Sequence, residues 1–198
     1  MQLVNIKRGV EPMPLLAVKP QVKVKKSAVS CPEGLYRCIV ADPPWNTKKG
    51  CDWNSNGKSN DLDYPTMTVQ EIAQLEVPAD KNAVIFIWTI NKYVPHTYVL
   101  AKKWGFTPSQ LLTWCKTPRG IGLGGTFTPC TEFVLMAKKG TIDAKARCDR
   151  SWWKWERERH SKKPEDFQKM LMKMFDGPYL EMFARRRKPG WATWGNEL

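Results

Sequence analysis

Ala83-Val84-Ile85-Phe86-Ile87-Trp88-Thr89-Ile90 runs eight residues without a charge. So short an apolar run, rich in β-branched and aromatic residues, predicts a buried strand rather than a helix. Similar runs recur: Leu35 to Ala41, Gln110 to Cys115, Glu132 to Ala137, Tyr179 to Ala184 and, last, Trp191 to Trp194. Helical stretches lie between them. Thr68 to Leu75 opens with Thr68 and carries Glu71 at the capping-box spacing. Val94 to Trp104 is ended by Gly105, and Pro164 to Phe175 has proline in its first turn and Gly177 beyond its end. Strands alternating with helices predict an α/β layered domain around a mostly parallel sheet. In such a domain ligands sit at the carboxyl ends of the strands.

The chain of 198 residues is long enough for one sizeable core. Residues 31–198 form the expected domain. Residues 1–30 read as an extended basic arm: Lys7, Arg8, Lys19, Lys23, Lys25 and Lys26 face only Glu11, three prolines discourage helix, and residues 22–25 alternate like an edge strand. A net charge of +13 favours an anionic partner, and ten tryptophans among the basic residues suit stacking on unpaired bases. No apolar run approaches a membrane span and no secretory signal is evident, so the expected location is the cytoplasm. The six cysteines form no CxxC pair, which predicts no metal site and free thiols, several of them buried.

At the end of the first apolar run stands Asp42-Pro43-Pro44-Trp45. An acidic side chain, two rigid carbonyl-bearing prolines and a flat indole suit one task, gripping a planar base by its exocyclic amine. The plainer reading is a Pro-Pro turn with a buried tryptophan. The polar segment from Asn46 to Asp63, with Lys48, Lys49 and Lys58, has little to pack and is a candidate lid beside the motif. Gly120 to Gly125 is glycine-rich but leads to a strand, not a helix, so it reads as a connection with Arg119 set to meet phosphate. Ser151 to His160 interleaves Trp152, Trp153 and Trp155 with Arg157 and Arg159. It fits base stacking with phosphate contact, or equally a helix or loop whose tryptophans pack on the core.

Taken in order, these motifs give the chain a family likeness. It resembles the MT-A-seventy (MT-A70) family of adenine-N6 methyltransferases over roughly residues 35–197. The resemblance rests on Asp42 to Trp45, Trp104-Gly105-Phe106, His160-Ser161-Lys162-Lys163-Pro164, Glu181-Met182-Phe183-Ala184-Arg185, Gly190-Trp191 and Trp194-Gly195-Asn196-Glu197. It implies a Rossmann-like, S-adenosylmethionine-dependent methyltransferase sheet. The chain order is then permuted, with the catalytic motif ahead of the main cofactor elements. It implies that Asp42, Pro43, Pro44 and Trp45 are catalytic. Asp42, Ser161, Lys163, Glu181, Arg185, Asn196 and Glu197 would hold the cofactor, with Lys163 on its carboxylate, Glu181 and Arg185 near its ribose, and the terminal pair on its nucleoside. Residues 46–63 and 155–163 match two gate loops, and the loop at 116–130 would carry pairing, as a homodimer or with a partner subunit. Arg186-Arg187-Lys188-Pro189 departs from the polar cluster usual in the family.

The chemistry follows from the amine. The lone pair of adenine N6 is delocalised into the ring, so the nitrogen needs hydrogen-bond acceptors that draw it toward tetrahedral geometry. The Asp42 carboxylate and the Pro43 carbonyl can each accept one N6 hydrogen while Trp45 stacks on the base, and positioning supplies much of the rate. The target must be single-stranded or flipped from a duplex. Lys48, Lys49, Lys58, Arg119, Trp153, Arg157 and Arg159 are the candidate nucleic-acid contacts. DNA is favoured over RNA. An RNA adenine-N6 methyltransferase, a silent nucleic-acid-binding partner subunit and a cytosine-N4 enzyme are the alternatives.

Overall fold

The computed structural model describes residues 31–46, 66–117, 126–156 and 162–195. In chain order the elements are β1 (Tyr36–Ala41), α1 (Val69–Ala73), β2 (Ala79–Thr89), α2 (Val94–Lys103, entered by a short 3-10 turn), β3 (Thr107–Thr117), β4 (Thr131–Lys139), β5 (Trp152–Glu156), α3 (Glu165–Met174), β6 (Tyr179–Met182) and β7 (Ala192–Trp194). The strands form one seven-stranded sheet in the order β5-β3-β4-β2-β1-β6-β7. β1 pairs in parallel with β2 and β6, β6 with β7, and β3 with β5. Only β4 runs against its neighbours, β2 and β3. It is a Rossmann-like α/β sheet, and the predicted mostly parallel layering holds.

The apolar runs become central strands because both sheet faces are covered. Side chains of a strand alternate between faces. Ile39 and Ala41 of β1 and Ile85 and Ile87 of β2 join Leu100 and Ala101 of α2 and Ile72 of α1 in one core cluster. Cys38 and Val40, with Val84, Phe86 and Trp88, join Phe167 and Leu171 of α3 in the other. Thr68 caps α1 with the predicted reciprocal box to Glu71.

One segment departs from its reading. Residues 152–156 are a strand, β5, at the sheet edge, not a helix or loop. Its burial alternates, so Trp153 and Trp155 lie on one face, while Trp152 is 54% exposed on the other. The five described cysteines are free thiols, and of these only Cys38 is buried. There burial pushes the thiol pKa up to about 12. No helix among the described residues is long and apolar enough to cross a membrane. The basic arm and residues 22–25, the 46–63 segment beyond Asn46, and the glycine-rich 120–125 stretch lie outside the described residues.

Candidate active site

β1 ends at Ala41, so Asp42 is the first residue past a central strand. It continues the Cys38, Val40 parity and therefore faces the α3 side of the sheet. Its backbone N–H donates to the Met182 carbonyl at 3.4 Å, which holds it against the end of β6. Four more charged groups sit on that face by the same parity or by contact. Lys116 follows Trp114 on β3, Glu132 precedes Val134 on β4, and Glu181 lies between Leu180 and Met182 on β6. Lys163 comes from the turn just before α3. Because β4 is antiparallel, its first residues lie at the edge where the parallel strands end, and this brings Glu132 to Asp42.

The result is a chain of alternating charge. The Lys163 ammonium lies 3.0 Å from Asp42 Oδ2 and 3.5 Å from Glu132 Oε2. Lys116 lies 3.0 Å from Glu132 Oε1. The Lys163 ammonium also sits 5.4 Å from the centre of the Trp88 ring. These side chains are only about a fifth exposed (17–22%), so screening by water is limited. Burial pushes Asp42 up from the ordinary aspartate range; Lys163 opposes this, Glu132 adds to it, and Arg185 again opposes. Burial would lower Lys163, but Asp42 and Glu132 outweigh it and hold the ammonium above the usual lysine range. Burial likewise pushes Glu132 up, yet Lys163 and Lys116 together bring it below the usual carboxylate range. Lys163 uses two of three donors on these carboxylates, and Asp42 keeps Oδ1 outside the ion pair.

The rest of the motif is fixed by local bonds. The Trp45 N–H donates to the Pro43 carbonyl at 2.8 Å, and the Met67 N–H donates to the Pro44 carbonyl at 3.0 Å. A carbonyl has two lone pairs, so Pro43 retains one. Trp45 is only 5% exposed. Its indole N–H donates to the Trp88 carbonyl at 2.9 Å, and its ring stacks on Tyr93 at 4.9 Å and 17°. The Tyr93 hydroxyl donates to the Asn46 carbonyl at 2.7 Å, tying the residue after the motif to the same platform. So the indole is packed in the core cluster, as the plainer reading of the motif had it, and braces the turn that aims Asp42.

On the neighbouring strand, Val40 pairs with Glu181 and Ala41 with Met182. Glu181 Oε2 is buried without a hydrogen-bond partner, and Lys188 approaches it at 3.7 Å. The ammonium offsets part of the cost of burying this oxygen, and a hydrogen-bond donor from a ligand could satisfy the rest. The chain then turns through Phe183, whose φ of 61° is unusual for a residue with a side chain. Ala184 N–H donates to the Trp194 carbonyl at 3.0 Å, and a Cβ on Gly195 would overlap the Ala184 backbone. Gly195 thus lets the end of β7 close against the turn after β6.

The described residues bring together Asp42, Lys163, Glu181 and Arg185 from the predicted set. Ser161, Asn196, Glu197, Lys48, Lys49, Lys58, Arg119, Arg157 and Arg159 lie outside them. Trp153 is described and half-buried, its ring stacked on Trp155 at 5.4 Å and 8°. Trp155 in turn meets Phe167 of α3, so this pair packs on the core from the sheet edge. Glu132 and Lys116 were not singled out from sequence. The available signal was a charge in phase with buried positions at the ligand end of a strand.

A carboxylate paired with a lysine, next to backbone carbonyls at a strand end, can accept hydrogens from an amine. Comparison with known proteins agrees with that chemistry. The MT-A70 family model matches residues 36–197. The chain belongs to the MT-A70 family of adenine-N6 methyltransferases. It is 31% identical to the type II methyltransferase M.MunI of a Mycoplasma species, covering 97% of this chain and 86% of that protein. It is 27% identical to a fruit-fly (Drosophila melanogaster) N(6)-adenosine-methyltransferase MT-A70-like protein, over 83% of this chain and 27% of the relative. It is also 27% identical to the human N(6)-adenine-specific methyltransferase METTL4, over 90% of this chain and 42% of the relative. The chain thus spans most of the bacterial relative and under half of these two animal ones.

Proposed function

We propose that this protein methylates the N6 amine of adenine in DNA with S-adenosylmethionine as methyl donor. The observation that carries the reading is the 3.0 Å pair of Lys163 with Asp42 at the end of β1, on the face where a buried oxygen of Glu181 on the next strand has no hydrogen-bond partner and only Lys188 near it, at 3.7 Å. DNA is favoured because the M.MunI relative, a type II methyltransferase, is matched over most of its length.

Asp42 Oδ1 and the free lone pair of the Pro43 carbonyl accept the two N6 hydrogens. Lys163 holds the other Asp42 oxygen, which fixes its rotamer and favours the ionised carboxylate against the burial that raises its pKa. Glu132, itself held by Lys116, steadies Lys163. Two acceptors on one amine draw its lone pair out of conjugation and aim it away from the motif. Trp45 supports this arrangement from beneath rather than by lying on the base. After transfer the surplus amine proton leaves through Asp42 or through water.

The residues present fit the cofactor. The Glu181 oxygen, which lacks a hydrogen bond, suits a ribose hydroxyl donor, and Lys163, with a third donor beyond those on Asp42 and Glu132, suits a carboxylate. When bound, S-adenosylmethionine supplies an electrophilic methyl group on a sulfonium. In this reading Arg185, Ser161, Asn196 and Glu197 complete its pocket. The chain is permuted, the acceptor strand β1 preceding the cofactor strand β6. Residues 46–63 and 155–163 act as gates, residues 116–130 carry pairing with a second subunit, and the basic residues of these segments meet the polymer.

The test is incubation with labelled S-adenosylmethionine and matched single-stranded DNA, duplex DNA and RNA, followed by digestion to nucleosides. N6-methyladenine in DNA is the expected product. Label in RNA alone would move the substrate. Label in cytosine would change the base. No label in any polymer would reject the reading.

A further inference from the structure

A helix is about 10–12 Å across and strands lie about 4.8 Å apart, so one helix covers roughly two strands of a sheet. α1 and α2 share one face of this sheet, whereas on the other the described residues place only α3. β3 and β4 are therefore only partly covered on the α3 face. There Leu112 of β3, Met136 of β4 and Trp153 of β5 floor a cavity of about 760 Å³. Met170 and Met174 of α3 form one wall and residues 144–151 the other. Met136, Trp153, Met170 and Met174 are each half-buried. A cavity of that size holds several side chains, and methionines adapt their shape to an incoming apolar group.

The rim is positive. Arg150 is neutralised by Asp149 at 2.9 Å, but Lys138 and Arg147 have no acidic partner among the described residues. The fitting occupant is apolar, extended and weakly acidic. Residues 9–18, which lie outside the described residues, have that composition. They contain Val10, Met13, Leu15, Leu16 and Val18, no basic residue, and Glu11 as the one acid, although Lys7, Arg8 and Lys19 flank them. Glu11 and Met13 each precede a proline, which favours extended backbone and lessens the entropy lost on docking.

The tether is long enough. The Arg37 N–H donates to the Pro178 carbonyl at 3.0 Å, three residues beyond Phe175, which itself lines the cavity. β1 thus enters the sheet beside the α3 end of the cavity. In the order β3-β4-β2-β1, the step from β1 to β3 is three strand spacings, about 14 Å. Cys31 follows Val18 by 13 residues, a reach of roughly 40 Å when extended. Such a tether raises the effective concentration of the segment, so modest contacts suffice.

We infer that residues 9–18 dock in the cavity of their own chain, with Leu15 and Leu16 on the methionine floor and Glu11 toward Arg147. The basic residues on either side of the segment stay outside for an anionic partner. This docking is independent of the methyltransferase reading.

The test places the photocrosslinking residue p-benzoylphenylalanine at position 17 of the full chain, at low micromolar protein, and maps the crosslinked peptides by mass spectrometry. Crosslinks should form within one chain and land on Met136, Met170 or Met174. Leu15→Asp with Leu16→Asp should lower their yield at least tenfold, since two leucines lose their burial. Arg147→Glu, at an exposed position, should lower it about threefold, the scale of one surface ion pair, and Glu11→Arg in the same chain should restore it. Circular dichroism should be the same throughout. Crosslinks between two chains would overturn the inference by giving the cavity to a second copy. Crosslinks elsewhere on the domain, or a yield indifferent to the paired leucine substitutions, would overturn it outright.

Discussion

Asp42 is asked to stay ionised in a place that disfavours charge. Burial raises its pKa and Lys163 restrains the rise. The carboxylate must be deprotonated to accept an amine hydrogen, so activity is present above its pKa and lost as pH falls through it. The acid limb of the kcat/KM profile should therefore stand at higher pH than an ordinary aspartate would give. Glu132 contributes to that elevation, so Glu132→Gln should move the limb to lower pH; a limb that stayed in place or rose would contradict the network. Lys163→Met should act in the opposite direction, raising the limb and costing roughly 2 kcal/mol by urea unfolding, because it strands two partly buried carboxylates. Asp42→Ala should reduce methyl transfer at least a hundredfold, about the scale of losing one preorganised electrostatic group, while circular dichroism stays unchanged. Full transfer by that variant would dispose of the mechanism.

At the scale of elements, α3 links fold to chemistry. Its Phe167 meets Phe86 and Trp88 edge-on, and Trp155 from β5. Lys163 stands at the start of this helix, so anchoring Phe167 also anchors the ammonium. Phe167→Ala should cost about 3–5 kcal/mol in unfolding free energy. It should also weaken activity beyond what the loss of folded protein explains, through the looser Lys163; activity falling only in step with the folded fraction would uncouple the two. The helices and central strands were legible because apolar runs, caps and terminating glycines report local structure directly. β5 was not, because Trp-Trp-Lys-Trp-Glu carries its apolar alternation at a sheet edge, where an outward tryptophan breaks the pattern. Asp42 and Lys163 were legible as parts of motifs. Glu132 and Lys116 were isolated charges in strands, and their meaning depends on β4 running antiparallel, which a run of residues does not reveal.

For the whole molecule, the question is how a net charge of +13 is used. The ion pairs of Lys116 and Lys163 with Glu132 and Asp42, and of Arg186 with Glu165, are neutral and use none of that excess. The excess of basic side chains can meet phosphate, each contact releasing counterions. Residues 1–30 hold six lysines and arginines against Glu11, a net of about +5 that the family match over 36–197 does not include. If that arm follows the backbone of the substrate, a chain reduced to residues 31–198 should keep its S-adenosylmethionine affinity and its kcat at saturating DNA. It should lose oligonucleotide affinity at low salt, and the slope of log K against log salt should become shallower by several tenths per lost contact. The difference between the two proteins should then vanish as salt rises. An arm that merely solubilises the protein would leave the two salt curves superimposed, and the site on the sheet would then have to account for all binding of the polymer.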